Sequence, residues 1–260
     1  MINQEVHTII ADDLAGACDC AVEFLGPGRQ VRIWTGTGPL REISRSNDTG
    51  VKTESGMLAV NTESRHREPG EAVAITRMAA TYARESGARI VIKKADSAFR
   101  GNYVTELVTT VSALSPAAVV VAPAIPDYGR TTIDGVQHID GVPIAESFYA
   151  ADPRSAVQVS RIADILLDTG FVLAEVSLKA LRARSVAIDP TGALRVYIVD
   201  GETNADLDLT AEIFAPGGTG FAGGRRDGPV LFVGGQGITA ALARRCDSSA
   251  AGTTDRCLPS

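Results

Sequence analysis

Short apolar runs alternate with helical patterns along almost the whole chain, and this alternation constrains the fold more than any other feature. The run Ala117–Ala122 is apolar at every position, which is typical of a strand covered on both faces of a sheet. The segment Leu14–Leu25 instead has apolar residues at helical spacing and stops at Gly26, Pro27 and Gly28, a strong helix breaker. Strands that alternate with helices predict an α/β fold, with a mostly parallel open sheet and helices on both faces.

The same patterns locate the other elements. Strands are predicted at Val6–Ala11, Gln30–Thr35, Met57–Asn61, Ile90–Lys94, Phe171–Val176, Arg195–Val199 and Val230–Val233. Helices are predicted at Pro69–Ser86, Tyr103–Leu114, Ile162–Leu167, 203–215 and 236–245. Residues 36–56, 123–155 and 216–228 show no clear period and are predicted to be loops, of which a long one is usually functional. Residues 1–245 then form one α/β domain, and the small polar tail 246–260 is predicted to be disordered.

Composition narrows the class of protein. The 260-residue chain has a formal net charge of −6 and a pI near 5.2, whereas nucleic-acid-binding domains usually carry a basic face. No apolar stretch approaches the roughly 18 residues that a membrane span needs. The first residues have neither a basic n-region nor a long apolar h-region. We therefore expect a cytoplasmic protein that binds neither nucleic acid nor membrane.

The cysteines and histidines form no metal-binding pattern. Cys18 and Cys20 are too close together for half of a zinc site, and no second half follows. The histidines, His7, His66 and His138, are scattered along the chain. We expect free thiols in a reducing compartment and no metal site.

The most informative polar residues follow the strand predicted at Ile90–Lys94. They combine cations, a carboxylate and a hydroxyl within ten residues: Lys93, Lys94, Asp96, Ser97 and Arg100. In an open α/β sheet, ligands bind at the carboxyl ends of the strands. This mixture suits a small anionic substrate that carries hydroxyl groups, since Arg offers a planar fork and Lys a mobile point charge. A solvated loop rich in charge is the alternative interpretation.

Three other predicted strands end in polar residues of similar character. Asp12 and Asp13 follow the first strand, Arg65 follows the third, and Arg130 lies in the loop after Ala117–Ala122. One aspartate is expected to face the cleft, where it could take a proton from a hydroxyl or help to hold Mg²⁺, while the other caps the next helix. The two arginines are candidate carboxylate clamps. Helix capping and exposed loop arginines are the alternatives, but four similar strand ends favour one common site.

A glycine-rich turn follows the strand predicted at Val230–Val233. Gly234, Gly235 and Gly237 precede a helix, and such a turn can place backbone N–H groups on the phosphate of a cofactor. The turn lacks the Lys-Ser/Thr of a P-loop and the spacing of the dinucleotide fingerprint. A tight turn that packs the helix against the strand is the alternative interpretation.

Six blocks of the sequence resemble the N-terminal region of the four-carbon acid sugar kinases. They are IADDLAGACD (10–19), NTESR (61–65), KKADSAFRGN (93–102), VVAPAIPDYGRTTIDG (120–135), DGETNADL (200–207) and VGGQGITAALA (233–243). In that family an N-terminal α/β domain binds the acid sugar and a C-terminal domain carries most of the ATP site. The enzymes phosphorylate the terminal hydroxyl of acids such as threonate, erythronate or their 3-oxo forms.

The resemblance implies a role for each matching residue. Asp12 and Asp13 would be catalytic and would handle the attacking hydroxyl. The sugar-acid pocket would be lined by Arg65, Lys94, Asp96, Ser97, Arg100 and Arg130. ATP and Mg²⁺ are the cofactors that the family implies. The expected partners are a small sugar acid and either a separate nucleotide-binding chain or a second copy of this chain.

The chain departs from the family pattern at two positions of the first block. Ala15 stands where the family usually has Thr, and Cys18 where it usually has Asn. We also expect the nucleotide-binding domain to be absent, since nothing after Ala243 resembles it. The leading hypothesis is the substrate-binding domain of an acid sugar kinase. The alternatives are a non-catalytic hydroxy-acid-binding module and an unrelated sugar isomerase or hydrolase, although no G-x-S-x-G motif supports a hydrolase.

Overall fold

The structure of the chain is a computed structural model that describes residues 7–26, 29–36, 40, 55–189, 193–221 and 228–251. Its strands are β1 (His7–Ala11), β2 (Arg29–Trp34), β3 (Ser55–Asn61), β4 (Ile90–Lys94), β5 (Ala118–Val121), β6 (Arg130–Ile133), β7 (Val136–Ile139), β8 (Val142–Pro143), β9 (Leu173–Val176), β10 (Val196–Val199) and β11 (Val230–Gly234). Its helices are α1 (Leu14–Ala21), α2 (Pro69–Glu85), α3 (Tyr103–Leu114), α4 (Ile162–Ile165), α5 (Leu178–Arg182), α6 (Asn204–Phe214) and α7 (Gln236–Ala251).

Eight strands form one sheet in the order β2–β3–β1–β4–β11–β5–β10–β9, and every neighbouring pair in it is parallel. Side chains alternate between its two faces because the strand period is two residues. Ile9 packs in a cluster with residues of α1, α6 and α7, whereas Ile10 packs on the other face with residues of α2 and α3. Helices therefore cover both faces, which confirms the predicted α/β fold and explains why the central strands are apolar throughout.

Local sequence fixes where several helices begin. Asp13 is the N-cap of α1, and its Oδ1 accepts a hydrogen bond of 2.8 Å from the Gly16 N–H. Pro69 occupies the first turn of α2, where its missing N–H has no intrahelical role. Thr203 and Asp206 form a capping box at the start of α6.

Residues 130–157, which we call the small lobe, contain three strands where the sequence predicts a loop. β6, β7 and β8 form an antiparallel sheet joined by two-residue turns, and short 3₁₀ turns follow. The turns are Asp134-Gly135 and Asp140-Gly141, and all four residues have positive φ. Asp-Gly is the preferred pair for such hairpins, so the prediction of a 123–155 loop was wrong although a signal for the hairpins was present.

The small lobe is fastened to the end of β10. The carboxylate of Asp200 accepts hydrogen bonds of 2.9 Å from the N–H groups of Asp134 and Gly135. Thr132 and Gly201 exchange two backbone hydrogen bonds, each of 2.9 Å. These contacts hold the lobe against the carboxyl edge of the large sheet.

Other differences from the sequence predictions are small. α1 ends at Ala21 and continues as a 3₁₀ turn, and α5 was not predicted. α7 extends to Ala251, so the first residues of the predicted tail are helical, while residues 252–260 lie outside the described part. The predicted loop 36–56 also lies largely outside it, as do residues 222–227 of the predicted loop 216–228, while Thr219–Phe221 of that loop form a 3₁₀ turn. In the described part, no helix is both long and apolar enough to cross a bilayer.

Candidate functional site

The loops that follow β1, β3 and β4 meet at the carboxyl edge of the large sheet. The side-chain amide of Asn102 donates to the carbonyl oxygens of Ser64 at 2.8 Å and Arg67 at 2.9 Å, and so ties two of these loops together. Gly101 has a φ of +77° and lies close to Arg65. A Cβ added to Gly101 would be 2.5 Å from the carbonyl oxygen of Arg65. The predicted site residues on these loops are therefore neighbours in space.

Arg65 joins Asp12 and Asp13 in what we call the paired corner. Its Nε lies 2.7 Å from Asp12 Oδ2 and its Nη2 lies 2.9 Å from Asp12 Oδ1, which is a bidentate contact. Its Nη1 lies 2.8 Å from Asp13 Oδ2. The side chain of Asp12 is 6% exposed and that of Asp13 is 30% exposed. Asp13 thus caps α1 and is also the more accessible carboxylate of the two.

The electrostatics of the paired corner keep Asp12 ionised. Burial works to raise the pKa of Asp12, but hydrogen bonds from Arg65 and the charges of Lys93 and Lys94 outweigh it and hold this pKa below its ordinary value. Burial works to lower the pKa of Arg65, but its contacts with Asp12 raise that pKa instead. The guanidinium group of Arg65 is therefore committed to the two aspartates.

The adjacent lysines of β4 point to opposite faces of the sheet. Lys93 is 2% exposed, and its Nζ lies 2.7 Å from Glu106 Oε2 on α3. Lys94 instead reaches over α1, where its Nζ would lie 2.8 Å from a Cβ on Gly16. Lys94 forms no ion pair with a described residue. Lys93 is thus buried in an ion pair, whereas Lys94 lies beside α1 at the carboxyl edge of the sheet.

Asp96 and Arg100 form a second paired unit in the loop after β4. Arg100 contacts both oxygens of Asp96, at 2.7 Å from Nε and 3.0 Å from Nη2. Its Nη1 lies 3.0 Å from Asp152 Oδ2 in the small lobe. Burial works to raise the pKa of Asp96, but Arg100 outweighs it and holds this pKa low. Ser97 is half-buried in the same loop.

Arg130 lies at the start of β6, and its surroundings differ from those of the other arginines. Its backbone exchanges hydrogen bonds with Ile125, which fixes the start of the strand. Its guanidinium carbon lies 5.5 Å from the ring centroid of Tyr149, and that of Arg100 lies 4.7 Å from the same centroid. Arg130 Nη1 is buried and has no hydrogen-bond partner among the described residues. We call Arg100, Arg130 and Tyr149 the Tyr149 corner.

The glycine-rich turn after β11 is closely packed against the chain that follows β5. At Gly234, an added Cβ would lie 2.3 Å from the Ala122 carbonyl oxygen. At Gly235 it would lie 2.8 Å from the Ile125 side chain, and at Gly237 it would lie 2.4 Å from the Ala124 carbonyl oxygen. The three glycines thus allow the chain after β5 to pack against the turn. This close packing agrees with the alternative interpretation, a tight turn that packs the helix against the strand. The described residues also contain no group of three or more His, Cys, Asp or Glu side chains that could hold a metal ion.

Two residues at this edge, Tyr149 and Asp152, were not predicted from the sequence. Both lie in the small lobe, whose residues have no strand or helix periodicity of their own. Their contacts with Arg100 and Arg130 depend on how the lobe folds back onto the loop after β4. The Asp-Gly hairpin signals would have located the lobe, but no local pattern singles out these two side chains.

Comparisons with known proteins agree with this fold. Residues 7–242 match the family described as the sugar-binding N-terminal domain. A solved structure from Bordetella bronchiseptica, a domain-swapped dimer with bound citrate, is similar with a TM-score of 0.74 and 28% sequence identity. That similarity covers 96% of this chain and 59% of the Bordetella chain.

Curated relatives are kinases of small sugar acids. The D-threonate kinase of Salmonella typhimurium is 31% identical over 206 residues, which are 78% of this chain and 45% of that protein. The D-erythronate kinase of Heliobacterium modesticaldum is 28% identical over 212 residues, which are 78% of this chain and 46% of that protein. The chain spans about half the length of these relatives. It belongs to the four-carbon acid sugar kinase family, in which it matches the sugar-binding N-terminal domain.

Proposed function

We propose that this chain is the acid-binding part of an ATP-dependent kinase that phosphorylates the terminal hydroxyl of a four-carbon sugar acid. The names of the relatives, which include D-threonate, D-erythronate and 3-oxo-tetronate kinases, support this substrate class. The observation that carries the proposal is the unequal pairing of cations at the carboxyl edge. Arg65 and Arg100 are engaged by aspartates, whereas Lys94 and Arg130 Nη1 have no carboxylate partner in the described part of the chain.

Each site residue then has a distinct proposed role. Lys94 and Arg130 bind the substrate carboxylate, because an anion satisfies a buried guanidinium N–H that otherwise lacks an acceptor. Asp13, as the more exposed aspartate of the paired corner, accepts the proton of the attacking hydroxyl or orients that hydroxyl. Asp12 holds Arg65, and Asp96 holds Arg100.

Half-buried Ser97 completes the pocket as a hydrogen-bonding partner for a substrate hydroxyl. Phosphoryl transfer requires little covalent chemistry of a protein, so positioning and charge are what this site would supply. The Bordetella bronchiseptica structure holds citrate, which is itself a small carboxylate.

The nucleotide is proposed to bind elsewhere in such a kinase. ATP and Mg²⁺ are the cofactors expected of the relatives, and the glycines of the turn after β11 serve to pack it against the chain after β5. We assign the ATP site to a region that corresponds to the part of the relatives outside the match. The Bordetella protein is a domain-swapped dimer, which supports an arrangement in which the acid-binding part of one protomer faces the ATP-binding region of its partner.

Calorimetric titration of the purified 260-residue chain tests the proposal. We expect D-threonate, L-threonate or D-erythronate to bind, and the uncharged alcohols threitol and erythritol not to bind, because the carboxylate is the anchor. A parallel titration with ATP·Mg²⁺ tests whether the chain has a nucleotide site of its own. Absence of binding by every acid would overturn the proposed substrate class.

The variant Arg130→Met tests the assignment of the anchor. We expect it to weaken acid binding about a hundredfold, since removing one partner of a buried charge pair costs about 2–5 kcal/mol. The free energy of unfolding should change by less than about 1 kcal/mol, because Arg130 Nη1 has no hydrogen-bond partner in the described protein and the contact with the Tyr149 ring is the interaction lost. Arg154→Met, at an exposed arginine of the same lobe, is the matched control and should bind normally. Equal affinity of Arg130→Met and the unmodified chain would show that the anchor lies elsewhere.

A further inference from the structure

The ring of Tyr149 contacts two guanidinium groups whose charges are balanced differently. The Arg100 carbon lies 4.7 Å and the Arg130 carbon 5.5 Å from its centroid. Arg100 is paired with Asp96 and with Asp152. Arg130 has no carboxylate partner among the described residues, and its Nη1 is buried without an acceptor. Of the two arginines that contact the ring, Arg130 is the one with an N–H group still available to bind an anion.

The ring itself is held in place by the small lobe. The Tyr149 carbonyl oxygen accepts hydrogen bonds from the N–H groups of Asp152 at 3.3 Å and Val157 at 3.1 Å. Its own N–H donates to Ser147 Oγ at 3.3 Å. The Phe148 ring packs against it, with the centroids 4.3 Å apart. The hydrogen bonds fix the Tyr149 backbone, and its side chain packs against the buried cluster of Ala98, Ile139, Ile144 and Val157.

An aromatic face attracts a guanidinium group and restricts its orientation. Arg side chains lose substantial rotamer freedom when they are fixed, so an arginine that is already held binds an anion more tightly than a mobile one. The Tyr149 hydroxyl makes no hydrogen bond with a described residue, which leaves the ring as the part that contacts the arginines.

We propose that Tyr149 is a positioning residue whose ring holds Arg130 in the orientation that binds the carboxylate of the substrate. This assignment rests on the proposed function, because the sugar acid supplies the anion. Arg100 lies over the same ring and is already paired with Asp96 and Asp152. Tyr149 does not touch the substrate in this scheme and acts through Arg130 alone.

The test compares Tyr149→Phe, which keeps the ring, with Tyr149→Leu, which removes it. By calorimetry with D-threonate and D-erythronate, we expect Tyr149→Phe to bind within about twofold of the unmodified chain and Tyr149→Leu to bind about tenfold more weakly. Tyr128→Leu, the same change at a tyrosine that is 64% exposed and outside the Tyr149 corner, is the control and should leave affinity unchanged. Thermal unfolding of each variant checks that a loss of binding is not a loss of folding.

Nuclear magnetic resonance of the arginine Nε–Hε groups gives a readout that a merely structural role would not move. The Arg130 side chain should be ordered in the unmodified chain and in Tyr149→Phe but mobile in Tyr149→Leu, whereas Arg100, held by Asp96 and Asp152, should stay ordered in all three. Equal acid affinity of Tyr149→Leu and the unmodified chain would overturn the positioning role alone. Failure of the unmodified chain to bind any acid would overturn the proposed function and, with it, this assignment.

Discussion

The paired corner and the Tyr149 corner hold the same kind of cation in opposite electrostatic settings. In the paired corner, all three nitrogens of the Arg65 guanidinium face carboxylate oxygens of Asp12 and Asp13 within 2.9 Å. In the Tyr149 corner, Arg130 faces an aromatic ring and keeps a buried nitrogen without a partner in the described structure. The first arrangement closes two loops onto each other, whereas the second leaves binding capacity for a ligand. An arginine at the end of a strand is therefore not evidence of a ligand contact until its partners are known.

The two lysines of β4 repeat the contrast in adjacent residues. Lys93 is buried against Glu106, and Lys94 lies at the cleft without an ion pair to a described residue. Strand alternation alone separates them. The following variants use these differences to test whether paired cations serve stability and unpaired ones serve binding.

The largest effect is expected for Lys93→Met. Both side chains of the Lys93–Glu106 pair are 2% exposed, so the variant leaves a carboxylate buried without its counter-charge. We expect a loss of about 3–5 kcal/mol in the free energy of unfolding, measured by denaturant titration. Lys93→Met combined with Glu106→Leu removes both charges and should restore most of that loss. A double variant as unstable as the single one would show that the pair is not the cause.

A somewhat smaller loss is expected for Arg65→Met, about 3 kcal/mol. The Asp12 side chain is 6% exposed and would lose its bidentate partner, while the more exposed Asp13 can be solvated. Arg67→Met is the control two residues away. Its ion pair with Glu71 is 46% and 63% exposed, so it should cost less than about 0.5 kcal/mol. Similar losses in both variants would contradict the distinction between a buried pair and a surface pair.

The large sheet could be predicted from the sequence because its signals are local. Apolar runs such as Ala117–Ala122 and helical spacing after each strand report burial directly, and the order of elements implies parallel pairing. The small lobe was missed because its strands are only two to four residues long and carry no sustained alternation. Only the Asp-Gly turns marked it, and a turn signal does not show what the hairpin packs against.

For the candidate site, the sequence indicated which residues would gather but not how they would be paired. Because β1, β3 and β4 are neighbours in the sheet, the loops after them meet. These loops carry Asp12, Arg65, Asp96 and Arg100. Whether an arginine meets a substrate or an aspartate depends on side-chain directions and on contacts across 50 or so residues of chain, such as Arg65 with Asp12 and Arg100 with Asp152. Tyr149 has a role only through such a contact, so no pattern in the sequence could reveal it.

The smallest expected effect is a change with pH in the difference between the unfolding free energies of Arg65→Met and the unmodified chain. In the folded chain the pKa values of Asp12 and Asp96 lie below their ordinary value, chiefly because Arg65 and Arg100 outweigh the cost of burial. Their stabilisation is therefore fully present above about pH 4 and is lost as the pH falls through the folded pKa values. The pKa of Asp200, raised by burial, has the opposite dependence, but it contributes equally to both proteins and cancels in their difference.

In Arg65→Met the carboxyl group of Asp12 loses its main partner, so burial should raise its pKa and favour the protonated form. The variant then recovers stability on acidification while the unmodified chain loses it. We expect the gap in unfolding free energy to be widest near about pH 7 and to narrow towards about pH 3, by a fraction of the Arg65→Met loss. Denaturant titrations of both proteins across this range measure the gap, with Arg67→Met as the variant whose gap should stay small throughout. A gap that stays constant over the whole range would mean that Arg65 stabilises the fold by packing rather than by its charge on Asp12.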